Sequence, residues 1–210
     1  MFESEPYFTI STKISKRADE PHTLDFSVSC DKYDTDSRED APGETVGRLE
    51  GFLLQPGYLP DSFEDQAYFD RFDDRSAHAA EAFEILVERK ALIAKTLQVD
   101  TDDLEMAGAV ALLERAEVEP ESRGRHLTQR LMREARHILG RPGLLVILKA
   151  HPDGDEISNE QCRKLGDYYC SDSRLGFRPI SRRSLPGWLV ALWEEPVCCD
   201  GDERFWLEER

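Results

Sequence analysis

The chain has 210 residues, with 27 Lys and Arg against 43 Asp and Glu, a net charge of −16 and a pI of about 4.7. Hydrophobic residues make up 40%, which supports a real core and argues against wholesale disorder; the length suits one domain, or one domain with an insertion. No apolar run approaches the roughly 20 residues that span a bilayer, and the negative charge opposes general binding to nucleic acid or anionic membranes.

The first eight residues lack a basic stretch followed by an apolar one, so they do not read as a secretory signal. The five cysteines (Cys30, Cys162, Cys170, Cys198, Cys199) contain no C-x-x-C pair. They read as reduced thiols of a cytoplasmic protein rather than as a disulfide frame.

In chain order, residues 9–15 alternate as a short first strand. Leu24, Phe26, Val28 and Cys30 mark a second strand with one apolar face. Residues 31–44 form a polar loop, and residues 46–54 a third strand able to pair with the second as a hairpin. Residues 56–60 are Pro/Gly punctuation. Residues 62–97 become helical, in two pieces, with Phe83, Leu86, Val87, Ala94 and Leu97 on one stripe. An Asp-rich turn is expected over residues 99–105, then a buried strand over Ala109–Val118. Residues 123–139 carry the clearest helical pattern, with Leu127, Leu131, Ala135 and Ile138 on one face; Gly140 and Pro142 stop it. Residues 144–148 read as a strand. Ser158 and Gln161 fit a capping box that opens a helix to about Tyr169. Strands over residues 176–180 and 188–193 follow, then a polar tail, 198–210, holding Phe205 and Trp206. Such alternation predicts a mixed α/β sheet with helices on its faces and a right-handed crossover between the two buried strands.

The informative stretch runs from Ala109 to Met132. A buried strand stops at Pro120, and a turn at Arg123-Gly124 opens a helix. The first N–H groups of a helix have no internal partners and lie at the positive end of its dipole, so a strand–turn–helix is an anion cradle. Local charge agrees. Residues 115–141 hold seven Arg and four Glu, a net +3, and residues 163–183 a net +4, within a chain of −16.

This stretch resembles the central motif of the GNAT N-acetyltransferase superfamily, a strand ending in Val-x-Pro followed by Arg/Gln-x-x-Gly-x-Gly/Ala. Val118-Glu119-Pro120 matches the first part, and Arg123-Gly124-Arg125-His126-Leu127-Thr128 takes the place of the second. Downstream, Tyr168-Tyr169 and Leu175-Gly176-Phe177 look like the family's Tyr–Leu-Gly-Phe element. The matched region covers residues 109–193, under half the chain. The resemblance implies an acyl-CoA N-acyltransferase-like fold with a mixed, mostly antiparallel sheet. It implies a single domain over residues 1–197 with an atypical amino-terminal half and a helical insertion at about 62–98. It also implies acetyl-CoA as acyl donor, held by Val118, Arg123, Gly124, Arg125, His126, Leu127 and Thr128, with a backbone N–H near Val118 facing the thioester carbonyl. A primary amine of a small molecule or peptide would attack directly. Two motif glycines are His126 and Thr128 here, and three extra residues stand between Tyr169 and Leu175.

In the resembled family a tyrosine often protonates the leaving thiolate, which singles out Tyr169, with Tyr168 as substitute. Glu117 is the expected base, with Glu50 as rival and Glu114 behind. His22, His78, His137 and His151 are scattered and carry no role by pattern. Cys198-Cys199 lacks metal-ligand spacing, so no metal is expected. The acidic segment 31–75, net −8, reads as a solvated surface or as a rim attracting cationic amines such as a polyamine, an aminoglycoside or a basic peptide. The alternatives are a non-catalytic relative that has lost the cofactor, and a partner-binding protein using the acidic half and the Phe205–Trp206 tail.

Overall fold

Alternating apolar residues build three long antiparallel strands, β1 (Tyr7–Lys16), β2 (Thr23–Tyr33) and β3 (Glu44–Leu54). In β2, Phe26, Val28 and Cys30 all turn to the core. The expected hairpin is present, with Val28 opposite Leu49. The computed structural model describes residues 6–16, 23–34, 43–54, 72, 75–105, 108–152, 154, 157–196 and 204–205. The punctuation at 56–60, the start of the helical stretch at 62, most of the acidic segment, Cys198-Cys199 and Trp206 lie outside the described residues. Of the tail, the backbone of β8 (Arg204–Phe205) pairs with β1.

The helical stretch forms α1 (Ala77–Glu88) and α2 (Lys90–Leu97), parted at Arg89, whose φ of −114° interrupts the helix. Ser76 caps α1 by accepting from the Ala79 N–H at 3.0 Å. The Asp-rich turn expected over residues 99–105 is instead a short helix, α3 (Thr101–Glu105). Asp102 and Asp103 favour its positive end, and burying Leu104 anchors it.

Next come β4 (Ala109–Val118), a 3₁₀ turn at Pro120–Ser122, α4 (Leu127–Leu139) and β5 (Leu144–Lys149). The helix expected from residue 123 begins four residues later, because Gly124 (φ 80°) and His126 (φ 57°) are left-handed. On α4 the core takes Leu127, Leu131, Met132, Ala135 and Leu139, while Ile138, expected on that face, is 44% exposed. Spacing of four from Ala135 selects Leu139 over Ile138. In α5 (Asn159–Cys170) both halves of the Ser158–Gln161 capping box are made. The last strands are β6 (Arg178–Ser181) and β7 (Leu185–Leu192); Gly176, expected in β6, is left-handed and stays outside it.

The sheet order is β6-β7-β5-β4-β3-β2-β1-β8. All neighbours are antiparallel except β4 and β5, which α4 connects as a crossover. This is a mixed α/β architecture with a mostly antiparallel sheet flanked by helices. Ala111, Leu113, Val146 and Leu148 pack with Leu131 and Ala135 of α4. Val110, Leu112, Leu145 and Ile147 pack with Phe83, Leu86 and Ile93 of α1 and α2. Helices on both faces explain why residues 144–148 are apolar without alternation.

One close approach shapes the centre of the sheet. Arg115 pairs with Glu50 and Leu113 with Gly51, so Glu114 is the extra residue of a bulge. A Cβ at Gly51 would collide with the Leu112 carbonyl oxygen and lie 2.7 Å from the Phe26 ring. Gly51→Ala should therefore destabilise the fold by about 3 kcal/mol, the upper part of the overpacking range. The check is the denaturant midpoint, which should fall at unchanged m-value.

Candidate functional site: a cleft where two parallel strands part

The pairing of β4 with β5 runs from Ala109–Leu144 to Leu113–Leu148. The bulge at Glu114 comes next, and bulges bend and twist the strand that carries them. Residues 115–118 stay paired with β3 while β5 ends at Lys149. A cleft of about 280 Å³ lies beside the splayed end, lined by Ala116 and Val118, by residues 122–124 and 126–128 of the turn, by His151 and Pro152, and by Leu165, Tyr168 and Tyr169 of α5.

The turn presents backbone rather than bulk. Gly124 is left-handed, and a Cβ there would meet nothing within 4 Å. Among the described residues no side chain caps the start of α4. His126, where the motif has glycine, keeps a left-handed backbone (φ 57°, ψ 22°), a conformation that costs a non-glycine residue about 1 kcal/mol or more. Its ring lies near-parallel to Tyr168, centroids 5.8 Å apart, and its Nδ1 is 2.9 Å from Gln129 Oε1. Gln129 is buried, and its Nε2 donates to the Tyr168 carbonyl at 2.7 Å and to Ser171 Oγ at 3.1 Å. That leaves Gln129 Oε1 as acceptor, so the network assigns the hydrogen to His126 Nδ1. Burial pushes the Tyr168 phenol up, and Asp172 opposes the lowering effect of Arg133.

A second cleft, about 490 Å³, adjoins the first on the β3 side. Leu49, Leu113, Met132 and Leu148 supply apolar wall, and Glu50, Glu114, His78 and His151 supply polar groups. Glu114 Oε1 accepts from Ser76 Oγ at 3.0 Å. Glu50 pairs with Arg48 at 2.7 Å. Lys149 pairs with Glu81 at 2.6 Å, and Trp188 Nε1 donates to the same carboxylate at 3.0 Å. Burial pushes the Glu81 carboxyl up, and these two hydrogen bonds together with the electrostatic pull of Lys149 and His78 more than offset it, leaving it below the ordinary range.

Of the residues singled out by sequence, Val118, Arg123, Gly124, His126, Leu127, Thr128 and Tyr169 come together on the first cleft. Arg125 belongs to the same turn and does not line it. Arg123 Nε donates to the Val118 carbonyl at 3.1 Å. Glu117 is not brought there: it pairs with Arg115 at 2.5 Å and lines neither cleft. Of these two clefts, Glu50 and Glu114 line the second and not the first. Sequence reasoning missed His151 and His78. The one signal available for His151 was its place just past the end of a buried strand. Cys30 is buried, and burial with the nearby Asp31 pushes its thiol up to about 12, against the opposing pull of Arg130, so it is not a nucleophile at neutral pH. Among the described residues no group of three or more His, Cys, Asp or Glu is placed to hold a metal, and no helix is long and apolar enough to cross a membrane.

No protein-family model and no curated protein matches the chain. Among solved structures, the crystal structure of arylalkylamine N-acetyltransferase 2 from Aedes aegypti is similar at 15% identity and a TM-score of 0.37, over 73% of this chain. The match spans 57% of that protein's chain.

Proposed function

We propose that the chain is an N-acetyltransferase that takes its acetyl group from acetyl-CoA and passes it to a primary amine. The observation that carries this reading is the parting of β4 from β5 at Leu113–Leu148 beside an open, left-handed turn. The residues fit the donor. Main-chain N–H groups of residues 124–128, at the positive end of α4, would hold the diphosphate, with Thr128 adding a hydroxyl. Ala116 and Val118 would flank the pantetheine arm. When bound, acetyl-CoA supplies an activated acyl carbon.

The chain's own groups divide the remaining work. Tyr169 lines both clefts and is the acid for the departing sulfur. The second cleft receives the acceptor, and the Glu114 carboxylate is the charge it offers a cationic amine. The acceptor is a small molecule or a peptide, and no nucleic acid or membrane takes part.

A second reading has specific support. The His126 ring occupies the wall where the motif has glycine, and Arg123 already occupies the Val118 carbonyl. Both are compatible with a non-catalytic relative. Calorimetric titration with acetyl-CoA separates the two. Saturable 1:1 binding that Gly124→Val abolishes is the expected result. Absence of heat, together with no thermal shift at millimolar acetyl-CoA, selects the non-catalytic reading.

A further inference from the structure

We infer that His151 is the general base that deprotonates the acceptor amine. The inference rests on the acetyltransferase reading and names a catalytic group for it. A base for an attacking nitrogen must stand where the donor cleft meets the acceptor cleft. Among the described residues, Ala116, His151, Pro152 and Tyr169 line both clefts. Two of these have titratable side chains, and Tyr169 is assigned to the sulfur. The carboxylates expected from sequence do not meet the condition: Glu117 lines neither cleft, and Glu50 and Glu114 line the acceptor cleft and not the donor cleft.

The surroundings of His151 suit a proton acceptor. The residue is exposed, so a proton can pass on to water. His78 of α1 packs against it, ring centroids 5.4 Å apart. Burial, then Lys149 and His151, hold the His78 imidazole below its ordinary value, with Glu81 opposing, so His78 is the uncharged neighbour at neutral pH. The other charged groups around the acceptor cleft are Lys149, Arg115, Glu50 and Glu114. Lys149 and Arg115 are paired with Glu81 and Glu117. On the donor side, Arg123, His126 and Tyr168 face it.

The protons balance as follows. The acceptor arrives as an ammonium and gives one proton to the His151 imidazole, which releases it to water. The nitrogen lone pair forms the C–N bond as the C–S bond breaks. The sulfur takes the Tyr169 phenolic proton, and the second proton leaving the nitrogen restores the phenol. One proton is released per amide formed, and no further reactant is needed.

The test uses the full chain. Acetylation is measured with acetyl-CoA and spermidine, kanamycin or a lysine-containing peptide. His151→Gln should lower kcat/KM about a hundredfold and remove the acidic limb of its pH profile, with the thermal shift by acetyl-CoA unchanged. Free imidazole should restore part of the activity of His151→Ala and none of that of Tyr169→Phe. Independently of turnover, NMR of the histidine rings should show His151 signals moved by CoA and, separately, by the amine that is a substrate, while those of His137 stay. His151→Gln should also raise the His78 titration midpoint by removing a neighbouring positive charge. An active wild type with His151→Gln within threefold of it and an unaltered pH profile overturns the assignment of the base alone. A wild type that acetylates none of these amines and binds no acetyl-CoA overturns the acetyltransferase reading, and this assignment with it.

Discussion

Under the proposed acetyltransferase reading, Tyr169→Phe should slow acetyl transfer about a hundredfold while leaving both folding and acetyl-CoA binding nearly intact. General acid catalysis is typically worth a factor of about 10² to 10⁴. The lower end applies because a thiol, with a pKa of about 8.5, leaves more readily than an amine or alcohol. Tyr169 is 6% exposed and belongs to the core cluster under α4, so Phe fills the same space and the cost in stability is small. Tyr168 lines the first cleft but not the second, so it does not replace the lost hydroxyl. The measurement is kcat at saturating acetyl-CoA, with the thermal shift as control for binding. A rate within twofold of wild type would remove Tyr169 from the chemistry.

Trp193→Ala should cost about 4 kcal/mol, the range for truncating a large buried aromatic. Trp193 is 0% exposed. Its Nε1 donates to the Leu175 carbonyl at 2.9 Å, its backbone N–H donates to Leu144 at 2.9 Å, and its ring lies 5.9 Å from Phe177. Truncation removes the ring and also leaves a buried carbonyl without its donor. Leu175-Gly176-Phe177 is therefore held by the residue after β7, and the link secures the segment that follows α5. Trp193→Phe keeps most of the volume and loses the hydrogen bond, so it should cost well under half as much. Urea unfolding of both variants checks the ratio; equal losses would mean that the hydrogen bond, not the packing, dominates.

The two variants mark different depths of legibility. Leu175-Gly176-Phe177 and Tyr169 stand out in the sequence, but nothing there says that Trp193 holds one, or that the other touches two clefts. The capping box at Ser158–Gln161 was readable because both of its hydrogen bonds lie within four residues. The strand at Ala109–Val118 was readable because burial on two faces leaves no room for polar residues in its first half. The pairing of Glu117 with Arg115 follows from alternation along one strand face.

Other features depend on contacts between distant segments. The bulge at Glu114 exists because Gly51, on a neighbouring strand, lets two backbones approach. It shifts alternation by one residue, so Ala116 rather than Arg115 lines the first cleft. The break at Arg89 and the short helix at Thr101–Glu105 likewise follow from the surface that α1, α2 and α3 must cover. Local propensity does not record that surface.

The local pattern of the chain carries the order of strands and helices apart from α3 and β8, most of each apolar face, and the turn that opens α4, because hydrophobic periodicity and capping act over a few residues. Only the tertiary structure decided where β4 leaves β5, that His126 keeps a left-handed backbone, and which titratable groups stand between the two clefts. Those outcomes depend on the spatial meeting of residues such as Gly51, Leu113, Leu148, His151 and Tyr169, and separation along the chain carries no measure of that distance.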